Sequence, residues 1–151
     1  MPLPIVLKPA DQHHDFELAR RIHHAAYKDV IIRQFGAWDE HKQDNFFRSG
    51  WESAPSQIIT LEGEAIGILC VETLSDHIFL LEIQLLPEWQ KRGVGSQLIQ
   101  EQMQRAKQLR LTLRLRVLRL STAHKLYQRL GFLSTSSTAM HRYMEWIPPR
   151  T

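Results

Sequence analysis

A chain of 151 residues is long enough for one compact domain with a sizeable apolar core, and 43% hydrophobic against 23% charged residues excludes a disordered or fibrous class. The single cysteine, Cys70, excludes an internal disulfide framework and a multi-cysteine zinc site, and no apolar run is long enough to span a bilayer. A formal charge of +3 with a pI near 9.2 suits a polyanionic small ligand, with nucleic acid as the weaker alternative.

The start, Met1-Pro2-Leu3-Pro4-Ile5, lacks the basic and long apolar regions of a signal peptide, so the expectation is a cytoplasmic protein without a membrane segment. Apolar positions Phe16, Ala19, Ile22, Ala26 and Val30 recur at three and four residues and predict a helix starting near Asp11 and ending by Gly36. A second, shorter helix is expected from Trp38 to Phe47. From Gln57 the period changes. Ile58 to Leu61 and Ala65 to Val71 flank Glu62-Gly63 and predict an antiparallel hairpin.

The next strand runs from Ile78 to Leu86 and stops at Pro87, which has no N–H to give a ladder. Val94, Leu98, Ile99, Met103, Ala106 and Leu109 then follow helical spacing, and Leu111, Leu113, Leu115 and Val117 alternate with Thr112, Arg114 and Arg116 as a strand does. Ser121 is a candidate cap for a helix carrying Ala123, Leu126, Tyr127 and Leu130, which Gly131 ends. One or two strands through Ala139 to Trp146 close the chain. The order predicts one domain over residues 1–151, an α/β fold with a mixed, partly antiparallel central sheet and helices on both faces.

The segment that carries chemistry joins strand to helix. Lys91 and Arg92 bring positive charge, Gly93 and Gly95 let main chain approach an anion, and the amides of Val94 and Ser96 begin a helix whose dipole favours phosphate. A dinucleotide fingerprint would need a third glycine near Leu98, and a nucleotide P-loop would need a Lys-Ser or Lys-Thr ending; neither is present. A plain turn is the alternative.

Gln90, Gly93 and Gly95 match the Gln/Arg-x-x-Gly-x-Gly/Ala pyrophosphate motif, and Tyr127 with Leu130-Gly131-Phe132 matches the helix and Leu-Gly-Phe that follow it. In these residues the chain resembles the GNAT superfamily of acyl-CoA-dependent N-acyltransferases, over roughly Ile58 to Trp146. The resemblance implies acetyl-CoA as cosubstrate, with diphosphate on Gln90 to Ser96 and pantetheine along the backbone of Ile83 and Leu85. It further implies a splay between strands 78–86 and 111–117, and an oxyanion held by an amide at Leu85 or Leu86. Where the family often has an asparagine contacting pantetheine, this chain offers Leu120 or Ser121, and Ser121 as a helix cap is the simpler reading. Tyr127 is implied as the acid that protonates the departing thiolate.

Glu82 interrupts an apolar strand and shares a face with Gln84, which makes it the candidate base for the attacking amine; Glu72 is a second choice, and a structural carboxylate the alternative. Tyr27, Trp38, Asp39, Phe46 and Phe47 fall where the family closes over its acceptor, an amine of unspecified identity. The pairs His13-His14 and His23-His24 ride one helix with no matching cluster elsewhere, so no metal is expected. The reading is thus a monomeric or homodimeric N-acetyltransferase. A GNAT-like domain that binds acyl-CoA without turnover is the first alternative, and an RNA-binding module using Arg110, Arg114, Arg116 and Arg119 is the second.

Overall fold

The computed structural model describes residues 2–150; the two terminal residues of the expected domain lie outside the described residues. The chain runs β1 (Ile5–Pro9), α1 (Phe16–Phe35), α2 (Glu40–Ser53), β2 (Gln57–Leu61), β3 (Glu64–Thr73) and β4 (His77–Leu85). A 3-10 turn at Pro87–Trp89 leads to α3 (Val94–Leu109), β5 (Thr112–Leu118), α4 (Ala123–Arg129), β6 (Leu133–Ser137) and β7 (His141–Trp146). The seven strands form one open, mixed sheet in the order β1-β2-β3-β4-β5-β7-β6, which is the α/β class the sequence predicts. By packing, the chain resolves into two compact units: residues 2–70 with Glu82–Gly95, and Val71–Leu81 with residues 96–150. β3 and β4 pass through both.

In the first unit, β1 and β2 pair antiparallel from Ile5↔Leu61 to Pro9↔Gln57, and β2 pairs with β3 across the Glu62-Gly63 turn, with a bulge at Ile59/Thr60. Ala19, Ile22, Phe47, Trp51 and Ile68 bury together with Phe16 and Leu86 packed against them. Taking a side chain such as Ile22 out of water contributes roughly 1.5–3 kcal/mol, so this cluster is what holds α1 and α2 to β3. α1 begins later than its periodicity suggests, because Asp11 Oδ1 accepts the amides of His13 and His14 and ties that segment into a turn. Gly36, at φ +86°, ends it as expected. α2 outruns its predicted end by six residues, since Phe47 and Trp51 continue one buried stripe.

In the second unit, β4 and β5 are parallel, in register from His77↔Thr112 to Leu80↔Leu115. Both strands continue past the last of these pairs, β4 to Leu85 and β5 to Leu118. β5 pairs antiparallel with β7, and β7 with β6. Leu113, Leu115, Met144, Tyr127 and Phe132 are buried here, whereas Arg114 is exposed and Arg116 half-buried. The arginine row therefore occupies the open face of a strand whose other face is core, the usual solution for a sheet covered on one side.

Candidate functional site

The β4–α3 connection is shaped by local backbone demands. The Leu86 amide donates to the Ile66 carbonyl at 2.9 Å, and the Gln90 amide closes the 3-10 turn on the Pro87 carbonyl at 3.2 Å. Lys91 and Gly93 then adopt φ of +61° and +87° to bring the chain into α3. A side chain at Gly93 would meet nothing within 4 Å, so only the backbone conformation demands glycine there. At Gly95 a Cβ would reach Leu85 Cδ1 at 3.9 Å, an ordinary contact, so protein packing does not account for that glycine at all. Val94 is buried and anchors the helix start, Ser96 is half-buried on its first turn, and Lys91, Arg92 and Gly93 are exposed. The Arg92 guanidinium lies 5.2 Å from the Trp89 ring centre. First-turn amides of a helix lack intrahelical acceptors, so an exposed, basic, side-chain-free helix start fits a diphosphate.

Two residues expected to touch the cosubstrate are bonded to each other: Gln90 Nε2 donates to the Leu85 carbonyl at 2.9 Å, pinning the turn to the end of β4. The Leu86 amide, one of the two alternatives expected for the oxyanion donor, is spent on Ile66, which leaves Leu85 as the candidate. Ile83 and Leu85 are half-buried on β4.

Glu82 sits in a polar cluster on an otherwise largely apolar strand. Its Oε2 accepts the Tyr27 hydroxyl at 2.6 Å and Gln84 Nε2 at 3.0 Å. Gln84 is 3% exposed, and its Oε1 has no partner among the described residues. His23, also buried, packs its ring 4.9 Å from those of Tyr27 and Phe47. Neither of its nitrogens completes an aligned hydrogen bond among the described residues, although the neighbouring Gln84 amide favours the charged form. Burial, reinforced by His24, lowers the His23 pKa to about 4, so the ring is neutral at physiological pH. Sequence periodicity places His23 on a helix but gives no sign that it faces a polar strand residue some sixty positions away. Glu72, the second-choice base, is half-buried on β3.

The residues expected around the acceptor divide. Tyr27 holds Glu82. Phe47 is core and Phe46 is exposed. Asp39 caps α2 by accepting the Lys42 amide at 3.0 Å, and Trp38 Nε1 donates to Glu40 Oε2 at 2.6 Å. Asp44 accepts from Arg20 Nε at 2.8 Å and meets His24 Nε2 at 2.6 Å; Arg20 before His24 holds its carboxyl below the usual range. Ligand atoms of His24, Glu40 and Asp44 lie within 4.8 Å of one another, but Arg20 already bonds both carboxylates, so the cluster carries its own cation.

In the second unit, Tyr127 is buried on α4 with its ring 5.8 Å from Phe132, and Gly131 turns the chain at φ +103°. Ser121 Oγ accepts the Ala123 amide at 3.2 Å, so the serine serves the helix start from one position before the cap residue, Thr122. No described helix is long and apolar enough to cross a membrane.

Comparison with known proteins gives this geometry a context. Residues 54–133, more than half of the chain, match the family model "Acetyltransferase (GNAT) domain". Among solved structures, the PaiA N-acetyltransferase from Thermoplasma acidophilum, in complex with coenzyme A, superposes with a TM-score of 0.76 at 18% identity, over 96% of this chain and 99% of that one. An acetyltransferase from Thermus thermophilus gives 0.75 at 16% identity, over 96% and 97%. The ribosomal-protein-S18-alanine N-acetyltransferase from Escherichia coli gives 0.67 at 19%, over 97% and 96%. At these identities the likeness is one of fold. No curated protein matches the chain in sequence.

Proposed function

The chain belongs to the GNAT acetyltransferase family, and from that membership we propose that it acts as one domain that transfers an acetyl group from acetyl-CoA to a primary amine by direct attack. The observation that carries the reading is the β4–α3 turn, where an exposed glycine at φ +87° and a second glycine unexplained by packing open the start of a 16-residue helix. Gln90 to Ser96 hold the diphosphate there, and Ile83 and Leu85 offer strand backbone to the pantetheine amides, as an added strand would use it. Ser121 serves α4 first and contacts the cosubstrate only through a remaining lone pair or its hydroxyl proton.

Acetyl-CoA supplies the activated acyl group; the chain's residues manage protons and charge. Glu82, fixed by Tyr27 and Gln84, takes the amine proton through water. Tyr127 returns one to the leaving thiolate, and the Leu85 amide faces the developing oxyanion. The site of action is the cytoplasm.

Two measurements test this. Gly93→Val forces a β-branched residue into a left-handed backbone, and calorimetry on the folded variant should show acetyl-CoA binding abolished; unchanged affinity sinks the turn assignment. Tyr127→Phe keeps the ring and removes the proton, so release of free CoA thiol should slow about tenfold to thousandfold at constant acetyl-CoA affinity. Full activity would make Tyr127 a packing residue and favour acyl-CoA binding without its help in turnover.

A further inference from the structure

The open face of β5 carries two arginines in different circumstances. Arg114 lies directly opposite Glu145 of β7, with Nε 3.5 Å from the carboxylate. Arg116, the first β5 residue after the last parallel pair with β4, lies opposite Tyr143. It is half-buried, and among the described residues its guanidinium has neither a carboxylate nor any other hydrogen-bond acceptor. The Tyr143 hydroxyl likewise has no protein partner among them. His141, two residues along β7 on the same face, stacks edge-on to Tyr143 with ring centres 6.4 Å apart. Burial first, and Arg116 second, hold its pKa below the usual histidine value, so it adds no charge of its own at neutral pH.

Among the described residues, Arg116 is therefore the arginine of β5 with no carboxylate beside it. Arg114 has Glu145 at 3.5 Å and acts on Asp76 as well, His141 is neutral, and Arg116 cannot shed its proton, because a guanidinium stays charged at any pH the protein survives. A half-buried cation without protein acceptors has lost part of its hydration with no protein hydrogen bond in exchange, and an anionic ligand would make up that loss.

We propose that Arg116, with the Tyr143 hydroxyl and the His141 ring beside it, binds a carboxylate carried by the acceptor amine, so that the preferred substrate is a small amino acid rather than a simple amine or a polyamine. A single guanidinium without a carboxylate beside it matches a monoanion. Guanidinium and carboxylate are both planar and pair through two parallel hydrogen bonds, with Tyr143 free to donate a third. The strand position favours a substrate, since Arg116 follows the last β4–β5 pair toward the carboxyl ends of these parallel strands, where ligands of open α/β sheets gather. The inference rests on the acetyl-transfer reading for its substrate and on this face alone for its chemistry.

The experiment uses acceptor pairs that differ only in the carboxylate: alanine with ethylamine, leucine with isoamylamine, phenylalanine with phenethylamine. The carboxylated member should be acetylated with the higher kcat/KM. Arg116→Gln should lower kcat/KM for that member about tenfold to hundredfold, the usual worth of a charge-assisted hydrogen bond, while leaving the decarboxylated partner and the acetyl-CoA Kd unchanged. In parallel, NMR titration of the His141 ring should show its pKa rise when the amino acid binds the wild-type protein, and not in Arg116→Gln. No preference within the pairs, or an equal loss for both members, overturns the proposal. A weakened acetyl-CoA Kd also overturns it and assigns Arg116 to the cosubstrate's phosphates. If no amine is acetylated at all, the transfer reading fails separately, and a His141 titration unmoved by every amino acid then removes this inference as well.

Discussion

Glu82, in the unit built on α1 and α2, accepts hydrogen bonds from two side chains, whereas Arg116, in the unit built on β5 and β7, lies opposite Tyr143 and has no acceptor among the described residues. A carboxylate with two donors is oriented before any substrate arrives, which is what a base needs. A cation without protein acceptors keeps all its donors available. His23 shows a third outcome, because a buried imidazole lacking partners escapes the cost by staying neutral. Arginine has no such exit.

The largest effect that breaks the comparison is expected at Glu82. Glu82→Gln keeps the shape but accepts no proton, so the rate should fall about a hundredfold to ten-thousandfold, and most at low pH, where the amine is protonated. Raising the pH should rescue it in part. A variant with full activity and an unshifted pH–rate profile, but a lowered melting temperature, would return Glu82 to a structural role.

A smaller effect sharpens the position of His23. With a folded pKa of about 4 against 6.5, the folded state refuses a proton that the unfolded chain accepts, so stability falls as pH drops from 6.5 toward 4 and this group costs nothing more below that. The whole window is worth about 3 kcal/mol, at about 1.4 kcal/mol per tenfold. Melting curves of His23→Leu should lack this decline. Asp11, Asp44 and Asp76, whose carboxyls are held below 3.8 by hydrogen bonds, add their stability above that value and lose it only at lower pH, so the two windows separate. A variant as acid-sensitive as wild type between 6.5 and 4 would refute the assignment.

The smallest effect concerns the arginines. Arg114→Gln breaks an exposed cross-strand pair and should cost less than about 1 kcal/mol. Arg116→Gln removes a cation with no partner, so its melting temperature should equal or exceed that of wild type. A clear loss of stability in Arg116→Gln would mean that the guanidinium is already satisfied in the folded protein.

The strand–turn–helix carrying Gln90 to Ser96 is readable in sequence because its determinants are local: a proline that stops β4, glycines where φ must be positive, and an apolar stripe that begins at Val94. Gly36 and Gly131 mark helix ends for the same reason. β1 escapes a sequence reading, since five residues that follow Pro4 and end on Pro9 become a strand only through register with β2. β6 escapes it because Leu133–Ser137 is exposed throughout and shows no alternation. Glu82 stands out by its charge, but the Tyr27 hydroxyl that orients it lies 55 residues away and leaves no trace in spacing. The arginine row looks anomalous only while both faces of β5 are assumed to be covered.

Gly67 sets the spacing on which this arrangement rests. A Cβ there would stand 2.2 Å from the Gln84 carbonyl oxygen and 2.9 Å from Leu85 Cδ2, so β3 approaches the backbone of β4 at the residues that present Glu82 and pin Gln90. A backbone carbonyl does not swing aside as a side chain would. Every substitution at Gly67, alanine included, must therefore displace β4 rather than a rotamer. In a saturation library scored for acetyl transfer, this position should tolerate no replacement, while a library scored only for soluble expression recovers its smallest ones.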